Sequence, residues 1–375
     1  MINEYLSKCQ EVSTKSYEYV SNYLKENDMK AIGMAPLFSP VELVHAAGMI
    51  PVGLWGDNDV EVDLARQYFP SFCPSIIFSI MELGLNGTLD FLSGIIVPGM
   101  TDTLNGFGQN WKYAVKDIPM ISIVYPQHRK EDFGIKYLVE EFKQVLSKLE
   151  EISGKKVSDD DIKNSIELFN NHRKEMRRFS KLASKHPNTV DNLNRMYVYK
   201  SAQFMPREEH LNIVKKINEE LSKLPEETYD GKRIVTTGIV LDNPVILEIL
   251  EDSKLRIVGD MVDEESILYN TDIPEGDEDG LKRLANQWRD IEGFVAAYDP
   301  KKLRGIMMSD LAKQREADGA IFAMMKFSDF EEYDMPICTR DIRDAGYPVI
   351  TFNIDQQDKN SEQVKTRIQS FSEMI

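Results

Sequence analysis

AIGMAPLFSPVELVHAAGMIPVGLWG, residues 31–56, decides the fold. An apolar run from Ala31 meets a Pro-bounded turn, a helix opens at Val41 and closes at Gly48, and a second apolar segment starts at Pro51. Strand, helix and strand in such short succession predict a βαβ unit. The same grammar returns in GIIVPG (94–99) and PMISIVYP (119–126). Apolar runs that do not alternate with polar residues suit a parallel sheet buried on both faces.

Upstream, Tyr5, Cys9, Val12, Tyr17, Val20 and Leu24 recur at helical spacing, so residues 1–28 read as one or two amphipathic helices with Cys9 on the apolar stripe. Downstream, the period changes. Ile135, Leu138, Phe142, Val145 and Leu149 fall three or four apart, Gly154 stands where a C-terminal cap belongs, and Ser158 with Asp161 resembles a capping box that opens another helix. Strand-like runs resume after EETYDGKR, in IVTTGIVL (234–241), LRIVGDM (255–261), GAIFAMM (319–325) and PVITFNI (348–354). The expected architecture is α/β: N-terminal helices and a first lobe over 1–132, a mostly helical segment over 133–228, and a second α/β lobe over 229–375. AAGMIPV (46–52) and DAGYPVI (344–350) both pass from a helix through Gly and Pro into a strand, which hints at duplication. The stretch from Asp260 to Asp279, with nine carboxylates in twenty positions, reads as a solvated loop.

Composition narrows the function classes. The chain has 375 residues and a formal charge of -17, which repels nucleic acid and anionic membranes. No apolar run reaches the ~20 residues of a membrane span, and the polar start is no secretory signal, so a cytoplasmic location is expected. Three cysteines, Cys9, Cys73 and Cys338, do not make a disulfide framework. There is no P-loop, no G-x-S-x-G and no H-E-x-x-H, and Gly106 with Gly108 lacks the rest of a dinucleotide fingerprint. The five histidines are far apart, and His45, among apolar neighbours, reads as structural. A standalone flavodoxin-like binding protein would need a flavin-phosphate loop, which is missing.

The cysteines remain. Cys73 follows the aromatic, Pro-rich YFPSF and precedes a helix, whose N-terminal partial charge favours a thiolate. Cys338, in YDMPICTRD, follows a proline at the C-terminal side of the second sheet, where open α/β folds place ligands. A buried structural thiol is the alternative at either position.

Seven passages taken together, SPVELVHAAGMIPVGLWG, ARQYFPSFCPSI, TDTLNGFGQNWK, FGIKYLVEEFKQVLSKLEEISGKKVSDDDI, GIVLDNP, DGAIFAMMKFSDFEEYDMP and IDQQDKNSEQVKTRIQSFSEMI, resemble in order the 2-hydroxyacyl-CoA dehydratase family, relatives of benzoyl-CoA reductase. The chain is similar to that family's beta subunit. The resemblance implies two flavodoxin-like parallel-sheet lobes around a 4Fe-4S cluster. It also implies an alpha-subunit partner, an ATP-dependent activator protein, and conversion of an (R)-2-hydroxyacyl-CoA to the (E)-2-enoyl-CoA through a ketyl radical. In that scheme this chain's cluster relays electrons; the alternative is a non-redox scaffold for the alpha chain.

Residue by residue the carry-over is incomplete. Cys73 matches the family's first cluster cysteine, but Thr101 and Ser328 stand where the second and third would be. The expectation is an atypically ligated cluster, with Cys338 supplying a replacement thiolate and Asn110, or else Asp102, filling another position. Cys9 is expected in the core.

Overall fold

In the computed structural model, which describes residues 2–357 and 361–375, the 31–56 stretch folds as strand, helix and strand. Residues 358–360, part of the C-terminal motif, lie outside the described residues. Two helices lead, α1 (Ile2–Thr14) and α2 (Ser16–Asn27). Then come β1 (Ala31–Met34), α3 (Val41–Ala46), β2 (Ile50–Gly53), α4 (Ser75–Leu85), β3 (Gly94–Pro98), α5 (Asp102–Ala114) and β4 (Met120–Ile123). The four strands form one parallel sheet in the order β2-β1-β3-β4. β1 is central, with Ala31 opposite Ile50 on one side and Ile32 opposite Gly94 on the other. Every residue of β1, β2 and β3 is buried, so no polar alternate is needed and the strands read as continuous apolar runs.

Four long helices follow: α6 (Asp132–Ser153), α7 (Asp159–Ala183), α8 (Asn192–Ser201) and α9 (Arg207–Leu221). α6 buries the five periodic residues named above. It stops at Gly154, whose φ of +74° suits a residue without Cβ and whose N–H reaches the Glu150 carbonyl at 2.9 Å. The capping box at the start of α7 is formed, Ser158 Oγ accepting from the Asp161 N–H and Asp161 accepting from the Ser158 N–H at 2.9 Å.

The second lobe runs β5 (Lys232–Gly238), α10 (Pro244–Asp252), β6 (Leu255–Val262), the single turn α11 (Leu268–Asn270), α12 (Gly280–Asp290), α13 (Arg304–Gln314), β7 (Gly319–Met325), α14 (Asp329–Asp344), β8 (Val349–Ile354) and α15 (Glu362–Met374). Its sheet is also parallel, in the order β6-β5-β7-β8. The two sheets therefore repeat one winding. The pair of passages suspected of duplication does not express it: 46–52 feeds β2, beside the first strand of its sheet, whereas 344–350 feeds β8, at the opposite edge. Among the described residues no helix is long and apolar enough to cross a membrane.

The acidic stretch corrects the sequence reading. Only its later part is solvated, with Glu275 and Asp277–Asp279 exposed. Asp260, Asp263, Glu264 and Glu265 are buried where β6 ends. Arg195 of α8 pairs with both Asp260 and Glu265, and Arg304 of α13 pairs with Asp263 at 3.4 Å. Glu264 reaches into the first lobe and accepts the Leu37 N–H. Burial of such charges is tolerable only with partners, and these partners lie 41 to 70 positions away in sequence. Asp260→Asn leaves Arg195 with Glu265 as its remaining carboxylate and is expected to cost about 1–3 kcal/mol in denaturant unfolding. Asp277→Asn, on the solvated part, should stay within about 0.5 kcal/mol.

Candidate functional site

In open parallel sheets, ligands sit beyond the carboxyl ends of the strands at the point where the winding reverses. Here that point falls between β1 and β3 in one sheet and between β5 and β7 in the other. The segments leaving all four strands line one cavity of about 340 Å³: Pro36 and Leu37 after β1, Met100–Asn105 after β3, Ile239 after β5, and Phe327–Phe330 after β7. Two switch points face each other across a single space.

Three helices begin on its wall, α4 behind Pro74, α5 behind Thr101 and α14 behind Ser328. Their free N–H groups and dipoles make the cavity favourable for negative charge. Asp102 and Asp329, the first residues of α5 and α14, answer part of that field. Thr101 Oγ1 caps α5 by accepting the Leu104 N–H at 2.9 Å. Ser328 is buried, and its hydroxyl makes no capping bond to α14. One turn further along α14, Glu331 is fully buried and accepts the Met325 N–H at 2.8 Å. Desolvation raises its pKa to about 8, so its carboxyl is neutral at pH 7.

The residues singled out from sequence divide into two groups. Asp102, Thr101 and Ser328 line the cavity, and Cys73 directly precedes its wall residue Pro74. Cys73 is half-buried, and desolvation pushes its thiol above the ordinary value, against the thiolate expected from the nearby helix. Asn110 lies two turns into α5, where its amide donates to the Tyr68 carbonyl at 2.7 Å and pins the segment that leads to Cys73. Cys338 is not in a loop. It is buried inside α14, ten residues and roughly 15 Å of helix beyond Ser328. It borders a different cavity, of about 250 Å³, and burial pushes its thiol up to about 12. Pro336, the proline before it, sits within the helix. Cys9 packs with Met176 and Phe179, its thiol pushed up to about 11. His45 is held between Ser165 and Glu208, each at 3.0 Å, as a structural histidine.

A 4Fe-4S cluster takes four terminal ligands, normally thiolates. The cavity suits an anionic group in its field, but its donors are one neighbouring thiol, three hydroxyls (Thr101, Thr103 and Ser328), the Asn105 amide and carboxylates at helix starts. Among the described residues no three His, Cys, Asp or Glu side chains gather as a metal site. The donor set does not fit thiolate ligation of such a cluster.

A two-lobed α/β chain with opposed switch points is the class this geometry defines. Residues 36–375 match the family described as 2-hydroxyglutaryl-CoA dehydratase, D-component, and the chain belongs to that family. It is 42% identical to the (R)-phenyllactyl-CoA dehydratase beta subunit of Clostridium sporogenes, over 96% of this chain and 95% of that one. It is 36% identical to the beta subunit of lactoyl-CoA dehydratase from Anaerotignum propionicum, over 99% and 98%. The beta subunit of (R)-2-hydroxyglutaryl-CoA dehydratase from Acidaminococcus fermentans is 34% identical over 100% of each chain.

Leu37, Ile239 and Glu331 were missed from sequence. Their places after strand ends carried the only signal, and it needed the strand order to be read. The thiols give a direct check. Iodoacetamide at pH 8 should label Cys73 first, faster as pH rises through its raised pKa, while Cys9 and Cys338 stay unmodified by peptide mass spectrometry until the chain is unfolded.

Proposed function

We propose that this chain is the beta subunit of an (R)-2-hydroxyacyl-CoA dehydratase, acting with an alpha subunit to remove water and leave the (E)-2-enoyl-CoA. The carrying observation is that Thr101 and Ser328 line one switch-point cavity and Cys73 directly precedes its wall residue Pro74, the three positions that the resemblance sets against the family's cluster cysteines. Support comes from beta-subunit relatives aligned over nearly their whole length. The reaction is hard because the proton to be lost is weakly acidic and hydroxide leaves poorly from a carbon next to a carbonyl. One electron, injected through an ATP-dependent activator to make a ketyl radical of the thioester, would relieve both difficulties.

The shortage of thiolate donors supports a role for this chain outside that electron path. We assign it the role of seating the alpha subunit and closing the acyl pocket. Phe327, 39% exposed, lines the cavity, and Phe72, 67% exposed, stands two residues before its wall residue Pro74, so each offers apolar surface suited to that contact. A second reading, an electron-relay 4Fe-4S cluster anchored on Cys73, is favoured by the retained thiol and the three helix N-termini.

Anaerobic iron and acid-labile sulfide assays on the purified chain decide between them. The scaffold role expects well under one iron per chain, unchanged in Cys73→Ala. About four irons and four sulfides, lost in Cys73→Ala, would establish the relay instead. Phe72→Asp should weaken co-purification with the alpha subunit. Dehydration by this chain without any alpha subunit would overturn both roles.

A further inference from the structure

A second, smaller cavity of about 60 Å³ lies between the lobes, and Leu37 belongs to its wall as well as to that of the switch-point cavity. Its lining carries charges that do not balance. Arg173 and Arg207 are both buried there, at 5% exposure each, and Glu42 is already paired with Arg173. Among the described residues no carboxylate pairs with Arg207. Its guanidinium stacks on Phe169, 4.8 Å from the ring centre, and Nη1 stands 3.4 Å from His172 Nδ1. Arg207 Nε has no hydrogen-bond partner.

The other titratable groups do not supply the missing charge. Desolvation raises the Glu264 pKa to about 8, so this carboxyl is largely neutral at pH 7 while it accepts the Leu37 N–H. His172 is held well below its ordinary value by burial and by Arg207, and His210, 2.8 Å from it, falls to about 3. Two guanidiniums share one paired carboxylate, Glu42, which leaves Arg207 without a countercharge in a buried space. The contrast with the other buried arginines is instructive. Arg195 and Arg304, each beside acidic partners, keep raised pKa values, whereas desolvation lowers that of Arg207.

We propose that a small monovalent anion of halide size occupies this cavity, bound by Arg207. The space exceeds the ~10–15 Å³ that one water needs, so a halide with a water or two fits. Ser39 Oγ and Arg173 Nε line the same space, are buried and have no partners, and so offer further donors without an opposing acceptor. A divalent oxyanion would invert the charge balance it is needed to restore. Because Leu37 is shared by both walls, the anion fixes the back of the switch-point cavity. The assignment does not depend on the dehydratase reading.

The test uses the full-length chain in halide-free gluconate buffer, titrated with sodium bromide at constant ionic strength. A saturable rise in Tm on the order of 2 °C is expected, absent in Arg207→Gln and kept in Glu264→Gln. Crystals soaked in bromide should show an anomalous peak beside Arg207, which tests the site even if Arg207→Gln fails to fold. Equal Tm in bromide and gluconate, with no bromide peak in the cavity, would overturn the proposal. So would a bromide response seen only in Glu264→Gln, since Glu264 would then be the countercharge itself.

Discussion

Four carboxylates at the end of β6 hold the molecule in its working arrangement. Taking charge out of water is strongly unfavourable unless each charge finds a partner, so Asp260, Asp263 and Glu265 dictate where α8 and α13 must bring Arg195 and Arg304. Glu264, next in line, crosses to the Leu37 backbone of the other lobe. The same segment thus organises the second lobe internally and fixes it against the first. Apolar contacts add area to that junction, with Phe38 packed on Trp288 and Phe294 at ring distances of 5.5 and 6.1 Å. Arg129, buried from the first lobe, closes the carbonyl ends of the α12 turn at Trp288, Arg289 and Ile291. The opposed switch points follow from these bonds.

Most of the fold was legible because its signals are local. Strands buried on both faces must be apolar throughout, and GAIFAMM is β7 to the residue. Helix ends carried their own chemistry, in Gly154 and in the Ser158 box. The acidic stretch failed for a physical reason. A buried, paired Asp and a solvated Asp look identical in sequence, and only the distant arginines tell them apart. Arg207 and Glu264 were invisible on the same ground.

The candidate site was legible in part. The resemblance identified Cys73, Thr101 and Ser328, and the fold brings their segments to one cavity. The two substitutes proposed for missing thiolates were chosen by nearness in sequence, which a helix does not honour. Ten residues along α14 carry Cys338 away from Ser328 into a separate apolar cluster with Phe322 and Met324. Eight residues along α5 turn Asn110 back towards Tyr68. Pro336 lacks the donor for one helix bond and disfavours its own place, yet α14 continues through it to Asp344.

Thr101 and Ser328, which the resemblance sets against cysteines, use their hydroxyls in different ways. A threonine at an N-cap satisfies an orphan N–H and is worth about 1 kcal/mol to its helix, which cysteine, the weaker acceptor, supplies poorly. Thr101 makes that bond, so one lone pair of its oxygen is committed to α5. Ser328 is of an equally good capping type and makes no cap bond, and its buried hydroxyl stands beside Glu331 instead. Thr101 thus holds the start of α5, while Ser328 keeps its place on the cavity wall without capping the helix behind it.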